Sequence, residues 1–221
     1  MTLDEIKKDY YSRKEDVNLL YKFIKNNEEA TPIVGCIMKA SLFLILYNLV
    51  EDTVRKLLCY ILEQSSSDLK YQDIVRETQK LLLLSKKNKI ICTNEPESFF
   101  KTLDDIIQNC ISNISHSLEV KHVLTFQKAG NIDSKAIKGI YNSFGYKIKK
   151  ESELINLIKD KRCALAHGEI SFQECGKGYA TSDLLRYKKE VFHYLGQLFV
   201  HTSNLLKNKT YIKKQPYKRV S

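Results

Sequence analysis

One segment restricts the possible folds of this chain more than any other. From Val34 to Ile61, apolar residues at 34, 37, 38, 42, 45, 46, 49, 54, 57, 58 and 61 recur at helical spacing. Thr31-Pro32 supplies a cap and a first-turn proline. The spacing therefore predicts one helix from there to about Leu62, roughly 45 Å long. A helix this long and apolar belongs either in a bilayer or at the centre of a helical bundle. Residues 33 to 50 are nearly enough to span a membrane. Lys39, Ser41 and Asn48 lie in that window, however, and a charge at mid-bilayer costs about 3 kcal/mol. The central helix of a soluble bundle is expected to be apolar nearly all round, so the reading is buried core with no membrane partner.

The rest of the chain supports an all-α fold. Only eight Gly and three Pro occur in 221 residues, too few for a many-turned sheet. Leu3, Ile6, Tyr10, Val17, Leu20 and Ile24 mark an amphipathic helix over 3–25. Further helices are expected over 67–84, 98–118, 134–144, 151–166 and 182–206, with a loop over 85–97 and a short strand over 120–126. Gly168 is the expected stop of the 151–166 helix. Residues 170–180, with Cys175-Gly176-Lys177-Gly178 at the turn, read as a short β-hairpin. The expected organisation is one domain over 1–205 with an insertion at about 120–146, then a basic tail over 206–221. Residues 131–144 read either as a packing insertion or as a small recognition-helix unit.

The six cysteines form no C-x-x-C pair, no cleavable apolar signal is evident, and the five histidines pair with nothing at zinc spacing. These features point to a reduced cytoplasm, thiols packed as small hydrophobes, no metal and no cofactor. The net charge of +10 is concentrated at the end of the chain. Lys207, Lys209, Lys213, Lys214, Lys218 and Arg219 occur there without an acid, interleaved with Tyr211 and Tyr217. Such a tail is either a solvated end or an RNA contact that binds phosphates and stacks on bases.

Only Lys161-Arg162-Cys163-Ala164-Leu165-Ala166-His167-Gly168-Glu169 suggests a chemistry. Histidine moves protons near neutral pH, and a guanidinium holds a phosphate and offsets charge developing on it. Arg162 and His167 in this setting resemble the R-x4-6-H motif of the HEPN superfamily. Leu46-Tyr47-Asn48-Leu49-Val50-Glu51 and Ala129-Gly130-Asn131-Ile132-Asp133 are similar to segments of its prokaryotic nuclease branch. The resemblance implies a HEPN-like helical bundle that dimerises and cleaves RNA without metal. It departs at Cys163, where active members commonly carry Asn, Asp or His.

Arg162 and His167 are the catalytic candidates, and Asn48, Glu51 and Glu169 the supporting ones. Asn48 and Glu51 either orient the pair or serve structure, Glu51 by pairing with Arg55 at i,i+4. The alternative structural role for the pair is Arg162 bound to Glu169 or Asp160, with His167 at a helix end. The leading functional expectation is a homodimeric endoribonuclease of the toxin or antiviral-defence type, held in check by an antitoxin or other regulatory protein. The alternative is a catalytically silent HEPN dimer that acts as an RNA- or protein-binding scaffold; a DNA-binding regulator built on 131–144 is a third reading.

Overall fold

The computed structural model describes residues 1–27, 32–65, 71–81, 121, 123–124 and 131–214. The described residues form α-helices and short turns, with no strand among them. Helix α1 covers Leu3–Asn26, α2 Pro32–Ser65, α3 Ser134–Ser143, α4 Glu153–Ala166, α5 Phe172–Lys177 and α6 Thr181–Lys207. The expected helix over 98–118 and the loop over 85–97 lie outside the described residues.

Local chemistry explains where these helices begin and end. Thr2 and Glu5 form a capping box at α1: the Glu5 N–H donates to Thr2 Oγ1 at 3.2 Å and the Thr2 N–H to Glu5 Oε2 at 2.7 Å. Ser152 caps α4, accepting from the Ile155 N–H at 3.3 Å. At the other end of α4, Gly168 takes φ +71. Its N–H donates to Leu165 O and that of Glu169 to Ala164 O, the paired bonds of a Schellman turn.

Three expectations are corrected. The hairpin over 170–180 is replaced by helix α5. Ser171 and Glu174 form a capping box, Ser171 Oγ accepting from the Glu174 N–H at 3.1 Å and Glu174 Oε2 from the Ser171 N–H at 2.9 Å. This box starts a helix across the glycines of the expected turn. The helix over 67–84 gives way, where described, to a 3-10 turn at Tyr71–Asp73 and an antiparallel bridge between Ile74 and Ile212. Among the described residues of this stretch, helix resumes at 76–81. Pairing with the chain near Ile212 outweighs local helix preference here, since the Val75 N–H donates to Tyr211 O at 2.9 Å and the Lys213 N–H to Asp73 O at 2.8 Å. The described residues of the expected strand over 120–126, at 121, 123 and 124, are helical.

The chain divides into two compact units, each discontinuous in sequence. The first comprises Met1–Tyr60, Asn131–Ile137 and Lys150–Val200. By length and by a mean hydropathy of 2.0, α2 is sufficient to cross a membrane, with 39% of that apolar window buried inside the protein. Leu42, Phe43, Leu46, Tyr47, Leu49 and Val50 of α2 lie in the core with Ile6, Val17, Ile155, Ile158, Leu184 and Val191. Burial of each such side chain contributes about 2 kcal/mol. A half-exposed ion network joins α1 to α2: Lys56 Nζ lies 2.6 Å from Asp9 and 2.7 Å from Asp52, and Arg13 Nε 2.9 and 3.3 Å from the same carboxylates. The Cys36 backbone comes so close to Gly176 that any Cβ at 176 would overlap it, which seats α5 on the start of α2.

The second unit comprises Ile61–Gly130, Lys138–Lys149 and His201–Ser221. Its core includes Ile140, Tyr141, Phe144, Leu205 and Tyr211. Tyr141 and Thr202 share a hydroxyl hydrogen bond of 2.7 Å, and Tyr146 Oη lies 3.0 Å from His201 Nδ1. Burial lowers the His201 pKa. The unfolded chain therefore binds this proton more readily than the folded one, and stability rises with pH through this group. The contribution is present above the unfolded histidine value of about 6.5 and is lost as pH falls through the folded value. Urea unfolding should show this acid-side loss in the wild type and a smaller one in His201→Gln; equal pH slopes in both would contradict it.

Candidate functional site

Helix α4 carries the motif at its C-terminal end, and the chemistry depends on how that end is held. Residues five apart are rotated by about 140° around a helix, so Arg162 and His167 cannot point the same way. Arg162 is half-buried, whereas His167 is the C-cap residue and is exposed. The His167 N–H bonds Cys163 O at 2.9 Å, which leaves the imidazole outside the helix ladder.

Two groups hold Arg162. Its Nη1 donates to Asn131 Oδ1 at 3.2 Å. The guanidinium carbon sits 5.0 Å from the centroid of the Tyr47 ring, within cation–π range. Tyr47 is itself fixed, because its hydroxyl accepts from the Ile132 N–H at 2.9 Å. Burial is the main reason that the Tyr47 phenol is held above its usual pKa; Glu51 adds to the shift, while the Ile132 N–H and Arg162 oppose it.

The segment containing Asn131 is tied back to α4 a second time. The Ser134 N–H donates to Asn156 Oδ1 at 3.0 Å, and Ser134 Oγ accepts from the Ser152 N–H at 2.6 Å. Asp133 caps α3 by accepting from the Ala136 N–H at 2.7 Å. Residues 131–134 thus form a clamp along α4, with Asn131 at the motif and Ser134 near the helix start. The geometry keeps one guanidinium edge engaged against Asn131 and one face of the Tyr47 ring covered, which holds the Arg162 side chain in a fixed posture.

The other candidates take different places. Glu51 Oε1 is bound by Arg55 Nε and Nη2 at 2.9 and 2.8 Å, which is the i,i+4 pairing. Asn48 and Glu169 are exposed and Cys163 is half-buried. Asp160 pairs with Lys159 at 2.6 Å. The contacts on Arg162 come from Tyr47 and Asn131. Both lie in segments, 46–51 and 129–133, that resemble the HEPN nuclease branch, but neither residue type by itself signals this role.

The basic end divides as well. Lys207, Lys209 and Lys214 are exposed, while Lys213 Nζ donates to Gln72 O at 2.8 Å. Tyr211 is 5% exposed, so its ring is core and not a stacking platform. Lys218 and Arg219 lie outside the described residues. Among the described residues, no group of three His, Cys, Asp or Glu side chains is placed to hold a metal ion.

Residues 2–211 match a family model described as HEPN_MAE_28990-like HEPN. No curated protein and no solved structure matches the chain.

Proposed function

The chain belongs to the HEPN_MAE_28990-like HEPN family, and from that premise we propose that it is a metal-independent endoribonuclease acting on single-stranded RNA through Arg162 and His167. The observation that carries this reading is the contrast within the motif: Arg162 is clamped by Asn131 and Tyr47, while His167 stands exposed on the capped end of the same helix.

In this reading His167 takes the proton from a ribose 2′-OH as that oxygen attacks the adjacent phosphorus. The 2′-O–P bond forms and the P–O5′ bond breaks, the leaving O5′ takes a proton from water while His167 keeps the one from the 2′-OH until it returns it to solvent, and Arg162 offsets the extra negative charge on the phosphorane. The products are a 2′,3′-cyclic phosphate and a 5′-OH. Because one chain turns the two side chains apart, the site is completed across a two-fold dimer, in which each motif meets its copy. A toxin or antiviral-defence effector, regulated by a second protein, is the biological role that suits a nuclease of this kind.

The test is incubation with total RNA in EDTA, followed by mapping of the product ends, beside DNA of the same sequence. Cyclic-phosphate ends on RNA and intact DNA are expected. DNA cut equally well would refute the 2′-OH mechanism, and RNA left whole would favour a silent HEPN scaffold, in keeping with Cys163 beside the arginine.

A further inference from the structure

The antiparallel seam between α1 and α6, within the first unit, brings cations and aromatic rings together. Lys14 Nζ lies 4.8 Å from the Phe192 ring centroid and 5.6 Å from that of Tyr11. Lys188 Nζ lies 4.3 Å from the Tyr21 ring and donates to Asn18 Oδ1 at 3.0 Å. Partial burial is the main reason that the Lys188 pKa is lowered; repulsion from Lys189 and, more weakly, Lys14 adds to it, while Glu15, which accepts from Asn18 at 3.2 Å, offsets part of this.

Ammonium groups held along one seam give it a positive local field that a polyanion would meet favourably. Tyr11 is 60% exposed. From Tyr11 to Tyr21 the seam runs about 15 Å along α1. Beyond it, Lys189 continues round α6 into a shallow cleft of about 360 Å³ shared with Glu190, His193, Tyr194, Gln197 and Ser152.

We propose that the seam formed by Tyr11, Lys14, Tyr21 and Lys188, extended by Lys189 beyond it on α6, is a binding strip for single-stranded RNA, its ammonium groups meeting phosphates and its tyrosine rings stacking on bases. Alternating charge and ring is the chemistry that holds a single strand without reading its sequence. The strip lies outside the Arg162–His167 motif and would retain RNA while that motif cuts it. It therefore rests on RNA being the substrate of the proposed site.

The decisive measurement is fluorescence anisotropy of a labelled 20-nucleotide 2′-O-methyl RNA, which lacks the attacking hydroxyl, as a function of salt. The full chain should bind it with a steep salt slope. Lys14→Gln/Lys188→Gln/Lys189→Gln should flatten that slope by about 2, at 0.7 per lost phosphate contact. Tyr11→Ala should weaken binding about tenfold, and the triple Lys→Arg variant should bind like the wild type, which separates charge loss from misfolding. An unchanged slope in the triple Gln variant, with circular dichroism intact, overturns the strip. So does binding to anionic lipid vesicles in place of the oligonucleotide, an outcome that exposed Leu19 and Phe23 on α1 make worth measuring. Cleavage of ordinary RNA by a chain whose strip variants bind normally would reject the strip and leave the nuclease reading standing.

Discussion

Replacing His167 by alanine is expected to lower RNA cleavage in EDTA by about 10² to 10⁴, the usual contribution of a positioned proton-transfer group. The substitution should leave the fold almost untouched. His167 is exposed, and exposed substitutions away from special features usually change stability by less than about 0.5 kcal/mol. The Schellman turn that ends α4 is made by the Gly168 and Glu169 N–H groups with Leu165 and Ala164 carbonyls, none of which belongs to the imidazole. Activity and stability should therefore separate cleanly. Thermal melting within a few degrees of wild type, with cyclic-phosphate products gone, is the expected pair of results. Undiminished cleavage by His167→Ala would remove this residue from the chemistry altogether.

The helices were legible in the sequence where periodicity ran long enough to outvote local accidents. α1, α2, α3, α4 and α6 end within a few residues of the positions read from apolar spacing and caps. Short segments were misread because a few contacts decide them. Two glycines at 176 and 178 suggested a turn, yet Ser171 and Glu174, in plain view at capping-box spacing, start a helix there. At 71–75 the helical pattern yields to pairing with residues near 212, a partner almost 140 positions away that no local window contains. The site divides in the same manner. Arg162 and His167 stand out because their side chains are conspicuous in a small, apolar stretch. The clamp around Arg162 was hidden, since a tyrosine on an apolar helix face looks like core and a contact spanning residues 131 and 162 has no period.

That clamp supplies the second large effect. Arg162→Lys keeps the charge but loses the planar fork, so an ammonium cannot donate to Asn131 and still present two parallel N–H groups to a phosphate. Cleavage should fall by about 10² to 10³, comparable to removing one preorganised donor from a charge-stabilising site, and the loss should appear in kcat because the charge being met develops only in the transition state. Asn131→Ala and Tyr47→Phe test the support separately. Asn131→Ala frees Arg162 Nη1 from its 3.2 Å bond, so kcat should fall by a smaller factor than in Arg162→Lys. Tyr47→Phe keeps the ring under the guanidinium but leaves the buried Ile132 N–H without its hydroxyl partner. Its principal cost should be stability, about 1 to 3 kcal/mol. Mixing Arg162→Lys with His167→Ala protein probes the dimer directly. If the site draws its arginine from one chain and its histidine from the other, subunit exchange creates dimers with one intact pair, and the mixture regains cleavage that neither variant has alone. A mixture that exchanges subunits but stays silent would place the two residues within a single chain's site and reject the composite cleft.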